Sequence, residues 1–598
     1  MTFISILQKF VFPFLLGTEI FNPLNTDHLK SHYDYIIVGA GSAGSVIASR
    51  LSEDECVKVL LLEAGPEAQI ASEVPLAAHE LRNSVNDWAY MSVPQKNGAQ
   101  GFPNQQVSVP RGKGLGGSSS INYAIYTRGS HMDYDQWAIN GATGWSWKEV
   151  FPYFKKSENM TDLQLLRNGY HGANGYLTVQ TAQYESVIIN AFADAAPEMG
   201  YKYRDTNGAY HTGFTRIQGT TRHGRRCSAS KAFLIPAENR ENLDIIIDAL
   251  VTKILIDENN EAYGVKFEIN DQEHEVYANK EVIICAGAFN SPHILMLSGI
   301  GHRSHLEEFG IPVIADLPVG DNLQNHVGAV GLSFEVPEAR DLYNRTFSYP
   351  NETAESFLKF GKGPLTSLYG LEGMAWFNSK YNNASVDWPD LNAPLLGFTD
   401  ASNPEEAVQD AIYNQVFKPY EGKNTFGFLP CYLRPKSRGT VRLASKNPRD
   451  APLIDPNFFD HPEDLERVIE AMQFSVDIVT KTNAFRRLGA KMFTTKFPGC
   501  EQYEANSTYY STEYLRCFSV KYTYGHYHPV GTCKMGHILD RTAVLDPQLR
   551  VKGIKNLRVV DGSIMPVIVG GNTNAPIIMI GEKASDMIKQ DNPDRFTC

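Results

Sequence analysis

The sequence has few cysteines, no excess of basic residues and no long apolar run, and each shortage excludes a class of protein. Eight cysteines in 598 residues are too few for a small disulfide-stabilised scaffold, and no Cys/His group has zinc-site spacing, so we predict no metal. A net charge of −12 argues against nucleic acid as a partner, because phosphate binding requires clustered Lys and Arg. We also expect no membrane span.

The N-terminus is the one strongly apolar segment, and it is short. Residues 1–17 contain a single lysine, Lys9, which is followed by Phe-Val-Phe-Pro-Phe-Leu-Leu. This run resembles the hydrophobic region of a signal peptide, with its basic residue set unusually late. We therefore predict a signal peptide over residues 1–20 and a secreted protein. A docking arm ahead of the first strand is the alternative.

Glycosylation and cysteine patterns are compatible with secretion but do not establish it. Chance gives a similar number of Asn-X-Ser/Thr sequons in a chain of this composition. The five sequons lie at Asn159, Asn344, Asn351, Asn383 and Asn506. In an oxidising compartment Cys500 and Cys517 could form a disulfide, although sequence alone does not settle the pairing. We predict a secreted glycoprotein.

The segment Tyr33–Gly44 predicts a buried strand that runs into a glycine turn and a helix. Gly39 allows the tight turn, Gly41 lets the backbone approach a pyrophosphate, and Gly44 lets the helix pack on the strand. The next apolar strand ends at Glu63, where the fingerprint places a carboxylate that accepts from ribose hydroxyls. A carboxylate there disfavours a 2′-phosphate, so the pattern predicts FAD or NAD rather than NADP.

Strand and helix patterns predict an α/β fold with a parallel sheet. A second glycine-rich loop spans 110–122, and residues 242–256 predict two successive strands. Another strand, over 281–288, is expected to enter a helix near Pro292, because proline is favoured in the first helical turn. A strand over 556–562 and a following helix return the chain to the same domain, so the cofactor domain is expected to contain both chain ends.

A change in composition predicts a second domain. Residues 331–430 are richer in aromatics, Asn and Pro, and we expect them to form the core and loops of a substrate domain. We assign 33–330 to most of the cofactor domain. Residues 431–590 complete the substrate domain and return to the cofactor domain. The sequence carries no signal for the oligomeric state.

Together these segments resemble the glucose–methanol–choline (GMC) oxidoreductases, a family of FAD enzymes, over nearly the whole chain after residue 33. The blocks that carry the resemblance are Gly112–Asn122 with Tyr126 and Gly129, Gly287–Gly301, Leu317–His326, Arg434–Leu443 and Tyr527–Met535. Residues 33–38 and 225–231 are most similar to the arthropod glucose-dehydrogenase-like branch, which includes secreted salicyl-alcohol-type oxidases. The resemblance implies FAD, a Rossmann-like FAD-binding domain, and an α+β substrate domain with an antiparallel sheet.

The resemblance also implies which residues hold the cofactor. Besides the first glycine turn and Glu63, two glycine-rich segments and one strand contribute to this set. They are Arg111, Gly116, Gly117 and Ser118 of the second loop, Asn122 beside the isoalloxazine, Val251 at the adenine end, and Asp561 with Gly562 along the ribityl and pyrophosphate side.

Two C-terminal residues carry the implied chemistry. The family's catalytic histidine falls on His528, whereas a histidine beside proline is by itself more often structural. The second active-site position, His or Asn in the family, falls on Asn572. Asn574 is the alternative register, and helix capping is the alternative role for both. A helix beginning near Ala575 is expected to direct its positive end at the flavin.

The implied reaction is oxidation of an alcohol to an aldehyde or ketone, with hydride transfer to flavin N5. An ordinary histidine pKa of about 6.5 suits His528 as the base near neutral pH, while Asn572 holds the substrate oxygen. We expect O₂ to reoxidise the flavin and give hydrogen peroxide. The alternatives are a dehydrogenase with a quinone-type acceptor, a hydroxynitrile-lyase-type enzyme and a catalytically silent binding protein.

The particular alcohol is not readable from the sequence. Residues 75–110 and 331–430 are expected to shape the pocket, and Tyr369 and Trp376 are aromatic candidates for its wall, although such residues more often lie in a core. Sugars, aromatic alcohols, terpenoid alcohols and ecdysteroids all remain candidate substrates.

Overall fold

Two large sheets organise residues 3–15, 29–337, 349–399 and 412–592, which a computed structural model of the chain describes. The first sheet has seven strands, with parallel strands at its centre, and the second has nine antiparallel strands. Helices cover the first sheet and pack on the second. The predicted α/β class with an additional antiparallel domain is therefore confirmed.

The first sheet extends its parallel centre with antiparallel strands. In spatial order its strands are Leu243–Ile246, Val59–Leu62, His32–Val38, Gln272–Ile284, Ala262–Ile269 and Leu250–Ile256, and Leu557–Val559 also pairs with Gln272–Ile284. The long strand 272–284 pairs antiparallel to 262–269 through its first half and parallel to 32–38 through its second. The two strands predicted within 242–256 are confirmed.

Segments from the N-terminal and C-terminal parts of the chain pack together beside this sheet. Strand His32–Val38 is buried from its second residue onward, as expected where helices cover both faces. Helix Ser42–Leu51 follows it and packs against the C-terminal helix Asn574–Asp591. A buried ion pair between Arg50 and Glu582, 2.8 Å from Nη2 to Oε1, joins the two helices. The cofactor domain thus contains segments more than 500 residues apart in sequence.

The helix after strand 272–284 begins earlier than predicted. It spans Gly287–Leu297, so Pro292 lies in its second turn rather than at its start. Proline lacks the N–H that would bond the carbonyl of Ala288, and the hydroxyl of Thr532 donates to that carbonyl at 2.6 Å. A distant loop therefore supplies the missing donor, and sequence spacing gives no sign of such a contact.

The second sheet draws its strands from a long stretch of the chain. They are Gly213–Arg216, Val327–Ala329, Leu332–Glu335, Leu371–Phe377, Leu391–Leu396, Thr425–Phe428, Cys431–Tyr432, Lys491–Met492 and Thr523–Gly525. Helix Pro462–Lys481 packs against this sheet. Its first strand comes from within the region assigned to the cofactor domain, and the domain boundaries stay predictions.

Shorter elements connect the two sheets. The remaining α-helices are Phe3–Phe10, Phe12–Leu15, Ser118–Ile121, His131–Ile139, Trp147–Ser157, Leu163–Leu166, Val187–Glu198, Arg303–Glu308, Pro350–Phe360, Asn483–Arg487 and Thr512–Lys521. The small sheets join Tyr90–Met91 with Ser108–Val109, Glu158–Met160 with Leu177–Thr181 and Gln218–Gly219, Thr221–Arg222 with Arg225–Arg226, Ile300–Gly301 with Ala315–Asp316, and Thr440–Arg442 with Leu453–Asp455.

The N-terminal segment forms two short helices, Phe3–Phe10 and Phe12–Leu15. Leu7, Val11 and Leu15 are buried in a satellite apolar cluster formed with the body of the fold. The segment predicted as a signal peptide therefore packs on the fold here, and the signal peptide stays a prediction. In the described part of the chain, none of the helices combines the length and apolar character that crossing a bilayer requires.

The disulfide and the sequons that the sequence linked to secretion differ in how far the structure supports them. Cys500 and Cys517 form the disulfide that the sequence allowed. Among the sequons, Asn351 and Asn383 are exposed, Asn159 and Asn506 are half-buried, and Asn344 lies outside the described residues. Glycosylation stays a prediction.

Candidate active site

A long cavity, here the cofactor cavity, runs along the carboxyl ends of the parallel strands. Its wall includes residues that follow four of these strands, namely Gly39, Glu63, Cys285 and Asp561. Ligands of open α/β sheets bind at this edge, because the loops there diverge and leave a crevice. The fold therefore places the cavity where a dinucleotide is expected.

The first glycine turn has three glycines with three different environments. Gly39 has φ +102°, and a Cβ there would lie 2.7 Å from the carbonyl oxygen of Cys285. A Cβ on Gly44 would lie 1.9 Å from the carbonyl oxygen of Gly39. A Cβ on Gly41 would meet no atom closer than 3.8 Å, and this residue lines the cavity at the start of a helix. The open side of Gly41 suits close approach of a phosphate to free helix N–H groups.

The second glycine-rich loop packs directly on the first turn. A Cβ on Gly117 would lie 2.8 Å from the Cα of Gly41, and Gly116 donates its N–H to the carbonyl of Ala40 at 2.9 Å. Gly117, Ser118 and Arg111 line the cofactor cavity. Gly116 and Gly44 do not line it. They hold the turns together instead.

Glu63 ties three loops together through backbone hydrogen bonds. Its carboxylate accepts the N–H of Ala40 at 2.8 Å, of Gly65 at 3.0 Å and of Gly114 at 2.9 Å. Burial raises its pKa, and these hydrogen bonds oppose that shift. The sequence did not indicate this structural role. The contact of Glu63 with a ribose stays a prediction.

The residues that line the cofactor cavity fit the adenosine-diphosphate half of FAD. Val251, Asp561 and Gly562 line it as predicted. His293 also lines it, and its buried Nε2 atom has no hydrogen-bond partner within the described structure. A dinucleotide can form hydrogen bonds with the groups found here. They are the unpaired Nε2 of His293, the helix N-terminus at Gly41 and the carboxylate of Glu63.

A second cavity, here the substrate cavity, adjoins the first. His528, Asn572 and Asn122 line it. The residues that line both cavities are Ser42, Arg111, Ser118, Thr573 and Ile577. This junction is where the reactive end of a cofactor held by the first cavity can face a substrate in the second.

Hydrogen bonds around His528 define which ring nitrogen carries its proton. The Asn572 side-chain Nδ2 lies 3.0 Å from His528 Nε2, and an amide NH₂ can only donate, so Nε2 accepts. His528 Nδ1 then carries the hydrogen and donates to His326 Nδ1 at 2.9 Å. His326 Nε2 donates in turn to the carbonyl of Val569 at 2.9 Å. The lone pair of His528 Nε2 therefore faces Asn572, and both side chains line the substrate cavity.

The pKa of His528 lies well below the ordinary value of about 6.5 that the sequence suggested. Burial is the largest cause, and repulsion from the charge of Arg111, and from His326 and His526 when they are protonated, adds to it. Burial also lowers the pKa of His326 to about 4 and that of His526 to about 3. His528 is therefore a neutral imidazole, able to accept a proton, throughout the neutral pH range.

Backbone contacts fix the position of His528. Its N–H donates to the side-chain oxygen of Asn325 at 2.9 Å. The preceding residue, Tyr527, has φ 61°, a conformation that is unfavourable for a bulky residue and needs support from its surroundings. Arg111 gives that support, since its Nη2 donates to the carbonyl of Tyr527 at 2.7 Å.

The two candidate asparagines have different partners. Asn572 contacts His528, whereas Asn574 begins the C-terminal helix and accepts a hydrogen bond from the Ser42 hydroxyl at 2.6 Å. This geometry favours Asn572 as the active-site residue. Asn122 uses its side-chain oxygen to accept from Arg226 Nη1 at 2.9 Å, so it is held in place at the cavity wall.

Sequence reasoning missed three residues near His528. His326 ends a block that carried the resemblance but received no role, and only its neighbours in space reveal the contact with His528. Arg82 and His526 also line the substrate cavity. Of the two aromatic candidates, neither Tyr369 nor Trp376 is among the lining residues. Trp376 is buried in an apolar cluster.

The fold and the two adjoining cavities define a dinucleotide-binding α/β oxidoreductase with a histidine at the reactive end of the cofactor site. Family models described as GMC oxidoreductase match residues 33–328 and 435–581. The chain belongs to the GMC oxidoreductase family, whose members are FAD-dependent flavoproteins.

Known proteins are similar to the chain over nearly its whole length. A glucose dehydrogenase [FAD, quinone] of Drosophila melanogaster is 36% identical, covering 93% of this chain and 87% of that protein. An ecdysone oxidase of Bombyx mori is 37% identical, covering 94% and 82%. A structure of a formate oxidase from Aspergillus oryzae with one arginine mutated superposes with a TM-score of 0.82 at 26% identity, covering 95% of this chain and 99% of that chain. The predicted family, its arthropod-like branch and the cofactor FAD are confirmed, and the protein is an oxidoreductase of the kind that acts on CH–OH donors.

Proposed function

We propose that the protein oxidises an alcohol to an aldehyde or ketone, with His528 as the proton acceptor, O₂ as the final electron acceptor and hydrogen peroxide as the second product. The observation that carries the proposal is the pair His528 and Asn572, whose side chains line a cavity that adjoins the cofactor cavity, with His528 Nε2 in its acceptor form. FAD supplies the two-electron oxidant for the carbon that bears the hydroxyl group.

The protein's residues bind and deprotonate the alcohol. The substrate hydroxyl takes the place of Asn572 as the donor to His528 Nε2, which is already neutral and takes the hydroxyl proton. Asn572 Nδ2 lies 3.0 Å from that nitrogen and donates to the substrate oxygen, so it stabilises the negative charge that develops there. The proton that His528 gains is stabilised through its Nδ1 contact with His326.

Positive charge at the junction of the two cavities favours a negatively charged group in the cofactor cavity. Arg111 lines both cavities, and no acid forms an ion pair with it in the described structure. The helix Asn574–Asp591 begins beside Thr573, which also lines both cavities. The positive end of a helix stabilises an anion by roughly 0.3–1 kcal/mol when exposed and more when buried.

A quinone-type electron acceptor is the alternative to O₂, and the name of one relative supports it. The Drosophila relative is named for a quinone, and a quinone-type acceptor would make this protein a dehydrogenase. The fungal structural neighbour is named an oxidase. We retain O₂ as the proposed acceptor and the dehydrogenase as the second candidate.

A substrate panel tests the reaction and the acceptor together. FAD-loaded protein is mixed in air with aromatic alcohols, terpenoid alcohols, sugars and an ecdysteroid, and hydrogen peroxide and carbonyl product are measured. We expect equal amounts of the two products from at least one alcohol. Anaerobic dye reduction without peroxide in air would identify the dehydrogenase instead. Failure of every alcohol to bleach the flavin anaerobically would contradict the proposal.

We also propose that the protein is secreted. The disulfide between Cys500 and Cys517 supports this, because disulfides persist in oxidising compartments. The apolar start of the chain supports a signal peptide. N-terminal sequencing of protein recovered from the medium of expressing cells tests both points. Protein retained inside the cells with its first residues intact would contradict them.

A further inference from the structure

Arg82 places a half-buried guanidinium in the wall of the substrate cavity, and in the described part of the chain no carboxylate forms an ion pair with it. The group lies over the ring of Tyr527, with its central carbon 5.3 Å from the ring centroid. The ionisable groups around it are the neutral phenols of Tyr527, Tyr123, Tyr524 and Tyr369, with no Asp or Glu among them. A cation removed from water in this way is unfavourable unless an anion joins it.

The rest of the substrate cavity does not provide that anion. Among the residues that line it in the described structure there is no Asp and no Glu. Its apolar wall consists of Ile121, Ile125, Leu371, Met374, Pro394, Leu429 and Ile577. Tyrosine rings from Tyr123, Tyr524 and Tyr527 line it as well. The cavity therefore has a wall rich in apolar and aromatic side chains, together with two arginines and a proton acceptor, His528.

The second buried arginine of the cavity has a different position. Arg111 lines both cavities, and its guanidinium donates to the carbonyls of Tyr527 and Pro110. Arg82 lines the substrate cavity alone. Arg111 therefore lies at the junction with its guanidinium already donating to two carbonyls, and Arg82 is the arginine that faces the substrate cavity alone.

We propose that the substrate cavity takes an alcohol that carries a carboxylate on an apolar or aromatic frame, and that Arg82 binds the carboxylate. A guanidinium pairs with a carboxylate through two parallel N–H···O bonds, which fix the orientation of the substrate as well as adding affinity. The tyrosine rings pack against the frame. This inference names the substrate class of the proposed function and rests on it.

The proposed reaction leaves the carboxylate unchanged. The hydroxyl proton goes to His528, the carbon loses a hydrogen with two electrons to FAD, and the C–O single bond becomes a C=O double bond. The product is an aldehyde that still carries the carboxylate. Arg82 therefore holds substrate and product equally and acts as a specificity residue rather than a catalytic one.

Paired substrates measure the preference. The value of kcat/KM is compared for 4-(hydroxymethyl)benzoate and for 4-methylbenzyl alcohol, which has the same shape without the charge. We expect the wild type to favour the carboxylate by about tenfold or more. In Arg82→Met the ratio should fall by about tenfold, mainly through KM, and in Arg82→Lys by less, since the charge remains. Arg487→Met removes an exposed arginine that lines neither the cofactor cavity nor the substrate cavity, and it should leave the ratio unchanged.

Equilibrium binding gives a readout that needs no turnover. 4-Methylbenzoate cannot be oxidised as an alcohol, so its affinity is measured from the change in flavin absorbance and from the rise in melting temperature. We expect binding in the wild type and Arg487→Met, and about tenfold weaker binding in Arg82→Met. Flavin content and circular dichroism show whether each variant folds, and Arg82→Lys serves if Arg82→Met does not.

The outcomes separate this inference from the proposed function. Equal affinity of 4-methylbenzoate for wild type and Arg82→Met, or a preference of the wild type for the neutral alcohol, would overturn the role of Arg82 even if alcohols are oxidised. Binding that depends on Arg82, with no alcohol able to bleach the flavin, would support the anion site and contradict the proposed reaction.

Discussion

The cofactor cavity and the substrate cavity are made of different parts of the chain. The first is shaped by backbone at glycine turns, where even a Cβ atom on Gly39 or Gly117 would clash. The second is shaped by side chains such as Arg82, Tyr527 and His528. The shape of a cavity formed by the backbone changes only if the backbone changes its path. The shape of a cavity formed by side chains can change through single substitutions. The comparison explains why the cofactor is easier to predict than the alcohol.

Gly41→Val should have the largest effect on the cofactor cavity. Gly41 has extended dihedral angles, φ −73° and ψ −164°, and open space at its Cβ, so valine fits the apoprotein but fills the space of the phosphates. We expect protein that purifies without FAD and unfolds near the wild-type apoprotein temperature. Flavin absorbance and thermal melts are the measurements.

Gly39→Ala is the matched control for that change. Gly39 has φ +102°, and the added Cβ would lie only 2.7 Å from the Cys285 carbonyl oxygen. Gly39→Ala should therefore lower the free energy of unfolding by about 1–3 kcal/mol. Gly41→Val that retains FAD at wild-type affinity would show that the open side of Gly41 does not face the phosphates.

His326→Leu should have the next largest effect, now on the substrate cavity. It removes the acceptor for His528 Nδ1–H. His528 can then carry its hydrogen on Nε2, and in that tautomer Nε2 cannot accept the substrate proton. We expect kcat to fall on the order of 10²-fold, with FAD content retained. His326→Gln keeps an acceptor oxygen and should recover part of the loss. The measurements are kcat, KM and their pH profiles.

A structural role alone for His326 makes a different prediction. If the residue only fills space, His326→Leu and His326→Gln would lose activity equally, and the pH profile of the remaining activity would match the wild type. Either result would remove His326 from the account of catalysis.

The pH dependence of kcat/KM should show the smallest effect. Burial and neighbouring positive charge hold the pKa of His528 well below 6.5, so His528 stays neutral as pH falls through that value. Activity that depends on the neutral base should therefore be lost only at lower pH. An acid limb at or above pH 6.5, measured with a substrate that does not titrate there, would show that the base is not depressed in the FAD-loaded enzyme.

The sequence predicted the cofactor side of the molecule in detail. Nine of the residues predicted to hold the cofactor line the cofactor cavity: Gly39, Gly41, Glu63, Arg111, Gly117, Ser118, Val251, Asp561 and Gly562. The dinucleotide fingerprint indicated the first three, and the family resemblance implied the other six. Pro292 shows the limit of local rules. Its helix begins five residues earlier because Thr532 bonds the carbonyl that proline cannot.

The substrate side was less predictable because its contacts join segments far apart in sequence. The contact between His326 and His528 spans 202 residues, and neither local pattern points to the other. The same holds for Arg82 over Tyr527. An arginine in a sequence is ordinarily exposed, and only the fold reveals that this one lines an apolar cavity without a carboxylate partner.

Anaerobic flavin reduction by an oxidisable alcohol in His528→Ala shows directly whether His528 is the base. FAD-loaded wild type, His528→Ala and the exposed-site control His537→Ala are mixed with substrate without air, and flavin bleaching is followed over a single turnover. We predict that His528→Ala bleaches about 10²- to 10⁴-fold more slowly than wild type, while His537→Ala is unchanged. Bleaching of His528→Ala at the wild-type rate would contradict the assignment of His528 as the base.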